Sequence, residues 1–254
     1  MDLKEIHKAI SSFLENSKSN RIPELGGIKI FEEPLTGIAS ADDSLFSQLK
    51  EESVVGEIHM TPKEWFPEAA SVISYFLPFS EEIRISNRKG KSEISTGWLY
   101  GRIEGEALNN EVRKTVTQYI ADSGGKAFAP VLDQGFKWTG SSSNWSERHV
   151  AFITGLGTFG LHKSMITGKG CAGRFGSVIT NLKLSPSEKK YGDIYEYCTM
   201  CMACIDRCPG NAIDQSGKNH QLCFDFLKSI REKYAPRYGC GKCQTDVPCE
   251  ERIP

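Results

Sequence analysis

Cys198-Thr199-Met200-Cys201-Met202-Ala203-Cys204-Ile205-Asp206-Arg207-Cys208-Pro209 is the stretch that decides the fold of the C-terminal region. Its spacing, C-x2-C-x2-C-x3-C-P, is the run that holds [4Fe–4S] clusters in bacterial ferredoxins. The first three thiolates surround one cubane, and the fourth cysteine reaches toward a second cluster. The proline that follows starts a short helix, where its missing N–H costs nothing. We therefore predict an iron–sulfur domain here.

The remaining cysteines complete a second set of ligands. Eight of the nine cysteines fall at or beyond Cys198, and only Cys171 precedes it. Crossed ligation of two cubanes assigns one cluster to Cys198, Cys201, Cys204 and Cys249 and the other to Cys208, Cys223, Cys240 and Cys243. A pair of structural zinc sites is the alternative, because zinc also uses paired C-x2-C. Zinc ribbons do not need the compact third and fourth cysteines with the trailing proline.

The composition excludes several other classes of protein. The 254 residues carry 31 Lys and Arg against 32 Asp and Glu, a net charge of -1, which gives no basic footprint for nucleic acid. No stretch approaches the roughly 20 apolar residues of a membrane helix. The N-terminus carries early acids and no apolar core, so we expect a cytoplasmic protein without a secretory signal. Thiols stay reduced there, which favours metal ligation over disulfides.

Ahead of the cysteines, helices and strands alternate. Ser71 to Leu77 predicts a buried strand, and an apolar face from Leu108 to Ile120 predicts a helix that stops at Gly124-Gly125. Further predictions are an N-terminal helix from Leu3 to Leu14, strands at 127–131 and 178–184, a helix capped by Asn144 and Glu147, and an exposed loop from Ser80 to Thr96. The fold class is α+β. A polar stretch after Leu184 indicates a boundary between a domain at 1–190 and one at 191–254.

A glycine motif precedes the boundary. Gly155-Leu156-Gly157-Thr158-Phe159-Gly160 matches G-x-G-x-x-G, but a helix rather than a strand is expected before it, and 178–184 contains no acid. A dinucleotide fingerprint requires both features, so we disfavour it. The glycines instead suggest a backbone surface that a large flat ligand approaches closely, with a loop-rich connection as the alternative.

The order of these motifs resembles one superfamily. Ser146 to Ala151, the glycine motif, Arg174 to Leu184 and the cysteines follow one another as in the epoxyqueuosine reductase and reductive dehalogenase superfamily. The chain resembles a short member without the C-terminal helical-repeat domain. The resemblance implies a nitroreductase-like corrinoid-binding α/β domain followed by a small ferredoxin-like domain with two [4Fe–4S] clusters.

The resemblance also implies site residues. It places the contacts to a cobalamin at Gly155, Gly157, Gly160, Gly176, Ser177 and Val178. The family's proton-donating acid falls at Ser141, so another group is needed. Tyr100, Asp133 and Glu147 are candidates, and each has a structural alternative: a core tyrosine, a turn aspartate and a helix-capping glutamate.

Two functions remain open at this stage. The first is an oxidoreductase that passes electrons from two clusters to a bound corrinoid and on to an unidentified substrate. The second is a ferredoxin-type electron carrier or reductase partner without its own corrinoid chemistry. A ferredoxin or flavodoxin is the expected donor, and the charge and length make tRNA an unlikely partner. Cys171, His149 and His162 are minor candidates that core packing also explains.

Overall fold

The computed structural model describes residues 1–140 and 142–254. Its helices are α1 Leu3–Asn16, α2 Leu45–Gln48, α3 Pro62–Trp65, α4 Glu81–Arg88, α5 Thr96–Asp122, α6 Glu147–Ile153, α7 Ala203–Asp206 and α8 His220–Tyr234. Its strands are β1 Arg21–Ile22, β2 Ile28–Lys29, β3 Leu35–Ser40, β4 Ser71–Pro78, β5 Ala127–Phe128, β6 Gly157–Phe159, β7 Met165–Thr167, β8 Gly173–Thr180, β9 Ile213–Asp214 and β10 Gly217–Lys218. No helix in these described ranges is long and apolar enough to span a membrane.

A four-stranded antiparallel sheet organises the first part of the chain. Its strand order is β3-β4-β8-β5, and all eight residues of β4 are buried. Ile73 and Tyr75 pack with residues of α1 and α5 on one face, whereas Val72 packs with residues of α6 on the other. Covering on both faces explains why β4 is a continuous apolar run. The predicted mixed α/β character is confirmed.

Several predicted elements are confirmed within a few residues. The N-terminal helix is α1, the Ser71 strand is β4, and the helix predicted to stop at Gly124 ends at Asp122. The strand predicted at 127–131 is present only as β5, and the one at 178–184 is the second half of β8. A helix precedes the glycine motif, and the motif itself contains the strand β6 and does not open a helix, so the dinucleotide site is rightly rejected.

Two local predictions are wrong. Helix α6 begins at Glu147 after Ser146, and Asn144 does not cap it. The Asn144 amide is buried in the preceding loop, where it accepts from the Lys137 N–H at 2.8 Å and donates to the Gly135 carbonyl at 2.9 Å. The segment predicted as an exposed loop contains α4, because partners distant in sequence stabilise it.

Those partners come from the cysteine-rich segment, which binds the C-terminal end of α4. The Nζ of Lys242, a fully buried side chain, donates to the carbonyls of Asn87 and Lys89 at 2.7 Å each. Arg207 donates to the carbonyl of Arg88 at 3.1 Å. Carbonyls at a helix C-terminus lack intrahelical partners and attract cations. These contacts join the cysteine-rich segment to the first part of the chain.

Carboxylates at the end of the chain bind the same helix. Glu250, which is 3% exposed, accepts from Arg88 at 2.9 Å and lies 3.7 Å from Arg84. Glu251 also accepts from Arg84 at 2.5 Å. The backbone N–H of Asp246 donates to Glu250 as well, at 2.6 Å. The predicted boundary at residue 190 stays a prediction, and strong polar contacts cross it.

We expect Lys242→Met to lower the free energy of unfolding by about 1–3 kcal/mol, because the carbonyls of Asn87 and Lys89 each lose a charged donor. Chemical denaturation of the anaerobic protein measures this loss. Lys228→Met, at an exposed position on α8, is the matched control and should change stability by less than about 0.5 kcal/mol. Equal stability of the two variants would contradict the anchoring role of Lys242.

Candidate functional site

The cysteine-rich segment folds around a small apolar core that contains its own thiols. Cys204, Cys208 and Cys249 are buried, and Cys171 joins them from the first part of the chain. Apolar side chains surround these sulfurs: Leu161, Ile166, Ala212, Ile213 and Val247. Cysteine thiolates in an apolar shell are the donor set expected of iron–sulfur clusters, and the shell limits access of water to the sulfurs.

The first group of thiols gathers around Cys204. Burial, together with the nearby thiols of Cys243, Cys249, Cys198 and Cys201, raises the pKa of Cys204 to about 12. Three of these four neighbours are the partners that crossed ligation assigns to Cys204. Thiols this resistant to ionisation need the charge of a metal to become thiolates.

The second group gathers around Cys240. Burial is the main cause that raises the pKa of Cys240 to about 12, and the backbone N–H of Lys242 acts against it. The thiols of Cys243, Cys223 and Cys208 contribute to the rise. These are the three partners that crossed ligation assigns to Cys240. Cys243 therefore borders both groups, so the two groups are adjacent.

The backbone between the first cysteines is tightly turned. Met200 and Met202 have φ angles of 50° and 62°, in the left-handed region that side chains other than glycine rarely adopt. Each such residue costs about 1–2 kcal/mol. The turns direct Cys198, Cys201 and Cys204 around one volume, and Met200 and Met202 themselves remain largely exposed.

Glu147 lies in a buried ion network rather than at an open site. Its two carboxylate oxygens accept from Arg113 at 3.1 Å and from the Ser177 hydroxyl at 2.5 Å. The Trp145 indole donates to the same hydroxyl at 2.8 Å. Burial raises the pKa of Glu147, and Arg113 and Ser177 oppose that rise. Glu147 thus ties α6 to α5 and β8, and its predicted role as a proton donor stays a prediction.

Arg113 continues this network across α5. It is 1% exposed and donates to Glu106 at 3.0 Å, and Glu106 also pairs with Arg174 at 3.4 Å. Although burial acts to raise the pKa of Glu106, Arg174 and Arg113 hold it below its usual value. Sequence reasoning missed Arg113 and Glu106. The sequence did carry a signal for Arg113, because this charged residue lies beside Val112 and Val116 on the apolar face of a predicted helix.

The other two candidate proton donors lie elsewhere. Tyr100 is buried on α5, and the Arg237 guanidinium covers its ring at 3.8 Å from the centroid. Tyr100 precedes Arg113 by 13 residues, about 20 Å along a helix axis. Asp133 is exposed in a turn, where it accepts from the Gly135 N–H at 2.7 Å. The structure does not place Tyr100 beside Glu147. Asp133 has the geometry of a turn aspartate, which was the alternative to its role as a proton donor.

Five of the six predicted corrinoid contacts are buried within the protein, and Gly155 is partly exposed. A Cβ on Gly157 would lie 2.1 Å from the Ile166 carbonyl, and one on Gly176 would lie 2.3 Å from the Tyr75 hydroxyl. Ser177 and Val178 are at most 1% exposed. Close packing within the chain accounts for these glycines. Gly157 and Gly176 do not offer the open backbone surface that a flat macrocycle requires. The argument that these glycines expose their backbone to a corrinoid is therefore corrected.

A buried histidine, His59, and a partly buried one, His149, meet at Ser146, and sequence reasoning overlooked His59. The Nε2 of His59 accepts from the Ser146 N–H at 3.3 Å, and the Ser146 hydroxyl lies 2.7 Å from the Nδ1 of His149. Burial lowers the pKa of His59 to about 4 and that of His149 to about 3, so both imidazoles are neutral near neutral pH. The Nδ1 of His59 is buried without a hydrogen-bond partner in the described part of the chain. Ser141, the position of the family's acid, lies outside the described residues.

A family model and a curated relative match this chain. The 4Fe-4S binding domain model matches residues 192–214, which contain the first four cysteines of the C-terminal set. The epoxyqueuosine reductase of Bacillus cereus is 27% identical over 206 residues, which are 76% of this chain and 51% of the relative. The chain therefore spans about half the length of this relative. The predicted resemblance to this superfamily of reductases is confirmed.

Solved structures share the fold. An epoxyqueuosine reductase with an epoxyqueuosine-modified tRNA-Tyr stem loop has a TM-score of 0.57 at 21% identity, covering 96% of this chain and 66% of that one. A reductive dehalogenase described for B12-dependent dehalogenation has a TM-score of 0.53 at 15% identity, covering 82% of this chain and 28% of that one.

The expectation that tRNA is an unlikely partner is not supported, because one of these similar proteins holds a tRNA stem loop. The expectation used the net charge of the whole chain. A net charge averages over the surface and does not locate the basic side chains that contact phosphates.

We expect Arg113→Met to lower the free energy of unfolding by about 3 kcal/mol, because the mostly buried carboxylate of Glu147 loses its cation while Glu106 keeps Arg174. Burial raises the pKa of Glu147, so protonation favours the folded state, and the loss should be smaller at mildly acidic pH than at neutral pH. Denaturation at both pH values measures it, with Lys114→Met at an exposed position of α5 as the control.

The double variant Arg113→Met/Glu147→Gln removes the buried charge of Glu147 and should recover part of the stability. A loss for Arg113→Met no larger than that of Lys114→Met would contradict the network.

Proposed function

We propose that this chain is an iron–sulfur reductase that holds two [4Fe–4S] clusters and delivers single electrons to a ligand bound by its first part. One observation carries the proposal: the segment that the 4Fe-4S model enters packs its thiols in one small apolar core, where the neighbours that raise the pKa values of Cys204 and Cys240 form two overlapping sets. The ligand sets are those of crossed ligation, Cys198, Cys201, Cys204 and Cys249 for one cluster and Cys208, Cys223, Cys240 and Cys243 for the other.

The proposal assigns different roles to the two parts of the chain. Residues 191–254 form the ferredoxin-like domain that accepts electrons from a donor such as a ferredoxin or flavodoxin. Residues 1–190 form a nitroreductase-like α/β domain, and the sheet packed against the long helix α5 supports that description. The backbone N–H of Cys171 donates to the Cys249 carbonyl at 2.9 Å, so the first domain directly contacts a proposed cluster ligand.

The similar dehalogenase supports a corrinoid as the ligand that receives the electrons. A bound corrinoid would supply a cobalt centre that accepts single electrons and reacts with a substrate. Gly157 and Gly176 do not fit such a group, because this chain covers them, and we derive no step through it at those residues.

The residues around Ser146 offer one buried polar atom that a bound group could satisfy. The Nδ1 of His59 has no hydrogen-bond partner in the described part of the chain, and the imidazoles of His59 and His149 are neutral near neutral pH. The ring of His59 stacks on that of Trp145 at 5.8 Å, which fixes its orientation. His59 is fully buried, so its contact with a ligand is part of the proposal and is tested below.

An electron carrier without corrinoid chemistry is the second candidate. The observation that favours it is the pairing of Glu147 with both Arg113 and Ser177, which leaves this carboxylate without a free oxygen for a substrate proton. A carrier would exchange electrons with a partner protein and bind no corrinoid.

We expect Cys204→Ser and Cys223→Ser each to lose about four of about eight irons, because each removes a ligand from a different cluster. Iron analysis and EPR of anaerobically reconstituted protein measure the loss, and the remaining EPR signals of the two variants should differ. If both variants keep all their iron with unchanged spectra, the crossed ligand assignment is wrong.

We expect hydroxocobalamin to bind the cluster-loaded protein in a one-to-one complex that an absorbance titration detects. His59→Leu should weaken this complex about tenfold, or about 1.4 kcal/mol, because it removes one buried hydrogen bond. His7→Leu, which changes a partly exposed histidine of α1, is the control.

Failure to form a one-to-one complex would favour the electron carrier. A complex that His59→Leu leaves unchanged would place the corrinoid away from Ser146.

A further inference from the structure

The sulfur of Cys249 has two neighbours that are not among the proposed cluster ligands. The Nε2 of His162 lies 3.4 Å from it, and the Sγ of Cys171 lies 3.9 Å from it. All three residues are buried, and their ligand atoms form a cluster within 4.8 Å. His162 and Cys171 belong to the first part of the chain. The inference drawn from this cluster rests on the proposed function.

The hydrogen bonds of His162 fix which of its nitrogens carries the proton. The backbone N–H of Ser164 donates to the Nδ1 at 3.0 Å, so Nδ1 is an acceptor and Nε2 carries the hydrogen. That hydrogen is directed at the Cys249 sulfur. A Cβ on Gly160 would lie 2.8 Å from the Cε1 of His162, so this glycine makes room for the imidazole.

The backbone holds Cys171 against Cys249. Gly170 has a φ angle of 73°, and a Cβ there would lie 2.2 Å from the Glu250 carbonyl, so only glycine allows this approach. Gln244 donates its side-chain amide to the Cys171 carbonyl at 3.0 Å. The Sγ of Cys171 lies 3.9 Å from the Cys249 sulfur and 3.9 Å from the Gln244 carbonyl, so its S–H can donate to a thiolate at Cys249.

The sulfur of Cys249 is therefore the acceptor for both neighbours. The Nε2–H of His162 lies 3.4 Å from it and the Sγ of Cys171 lies 3.9 Å from it. A thiolate is the form that ligates iron, and it accepts hydrogen bonds but donates none.

We propose that His162 and Cys171 are positioning residues that donate hydrogen bonds to the Cys249 thiolate and so raise the reduction potential of the cluster held by Cys198, Cys201, Cys204 and Cys249. Reduction adds one negative charge to a cluster that four thiolates already make negative. Hydrogen bonds to a ligand sulfur stabilise the more negative state more strongly. Because both donors come from the first part of the chain, that part favours the electron on this cluster over the other one.

The experiment is an EPR-monitored redox titration of anaerobic, cluster-loaded protein, with iron counted in each sample. His162→Leu and Cys171→Ala should keep full iron. At a fixed applied potential, each variant should raise the ratio of oxidised to reduced cluster about tenfold. For a one-electron couple, this change corresponds to a fall of about 59 mV in the reduction potential. Cys171→Ser and His162→Gln keep a donor and should recover part of the potential. His220→Leu, beside Cys223 of the other set, should leave this cluster unchanged.

Two results would overturn the proposal. Unchanged potentials in His162→Leu and Cys171→Ala would show that these hydrogen bonds do not act on the cluster. Loss of about four irons in Cys171→Ala, with full iron in Cys249→Ala, would make Cys171 the ligand instead. If the wild-type protein held no clusters, the proposed function itself would be wrong. That result differs from the two above, in which the clusters are present.

Discussion

The contact between Lys242 and the carbonyls at the end of α4 is the interaction on which the arrangement of the site depends. Lys242 lies between Cys240 and Cys243, so its two hydrogen bonds fix the loop that carries both thiols. Arg207 and Glu250 bind the same helix, beside Cys208 and Cys249. Cysteines at distant positions in the sequence are thus held near the end of one helix. The unpaired carbonyls at its C-terminus accept from Lys242 and Arg207, and its Arg88 binds Glu250.

The sequence alone could predict features that depend on local pattern. The cysteine spacing, the buried run of β4 and the stop of α5 before Gly124 are local, because backbone geometry and burial determine them. It could not predict that α4 forms, since its stabilising partners lie about 160 residues away. It also could not give the purpose of Gly160, which makes room for an imidazole two residues later. A motif shows where a glycine occurs, whereas only the packing shows which neighbouring atoms leave no room for a side chain there.

The first part of the chain is dominated by buried polar contacts rather than by an open glycine surface. Arg113 links Glu106 and Glu147, and His59 and His149 meet at Ser146 beside Trp145. Buried networks of this kind hold side chains rigidly, because breaking any member leaves an unpaired charge. The chain spans about half of its Bacillus cereus relative, so its substrate has to be established on this chain itself.

The central claim is that eight cysteines hold two cubanes. The most direct test is the content of iron, acid-labile sulfide and zinc in anaerobically purified wild-type protein, measured on one sample. The account predicts about eight irons and about eight sulfides per chain, with little zinc. About two zinc ions per chain with no sulfide would contradict it, because that is the content of two structural zinc sites.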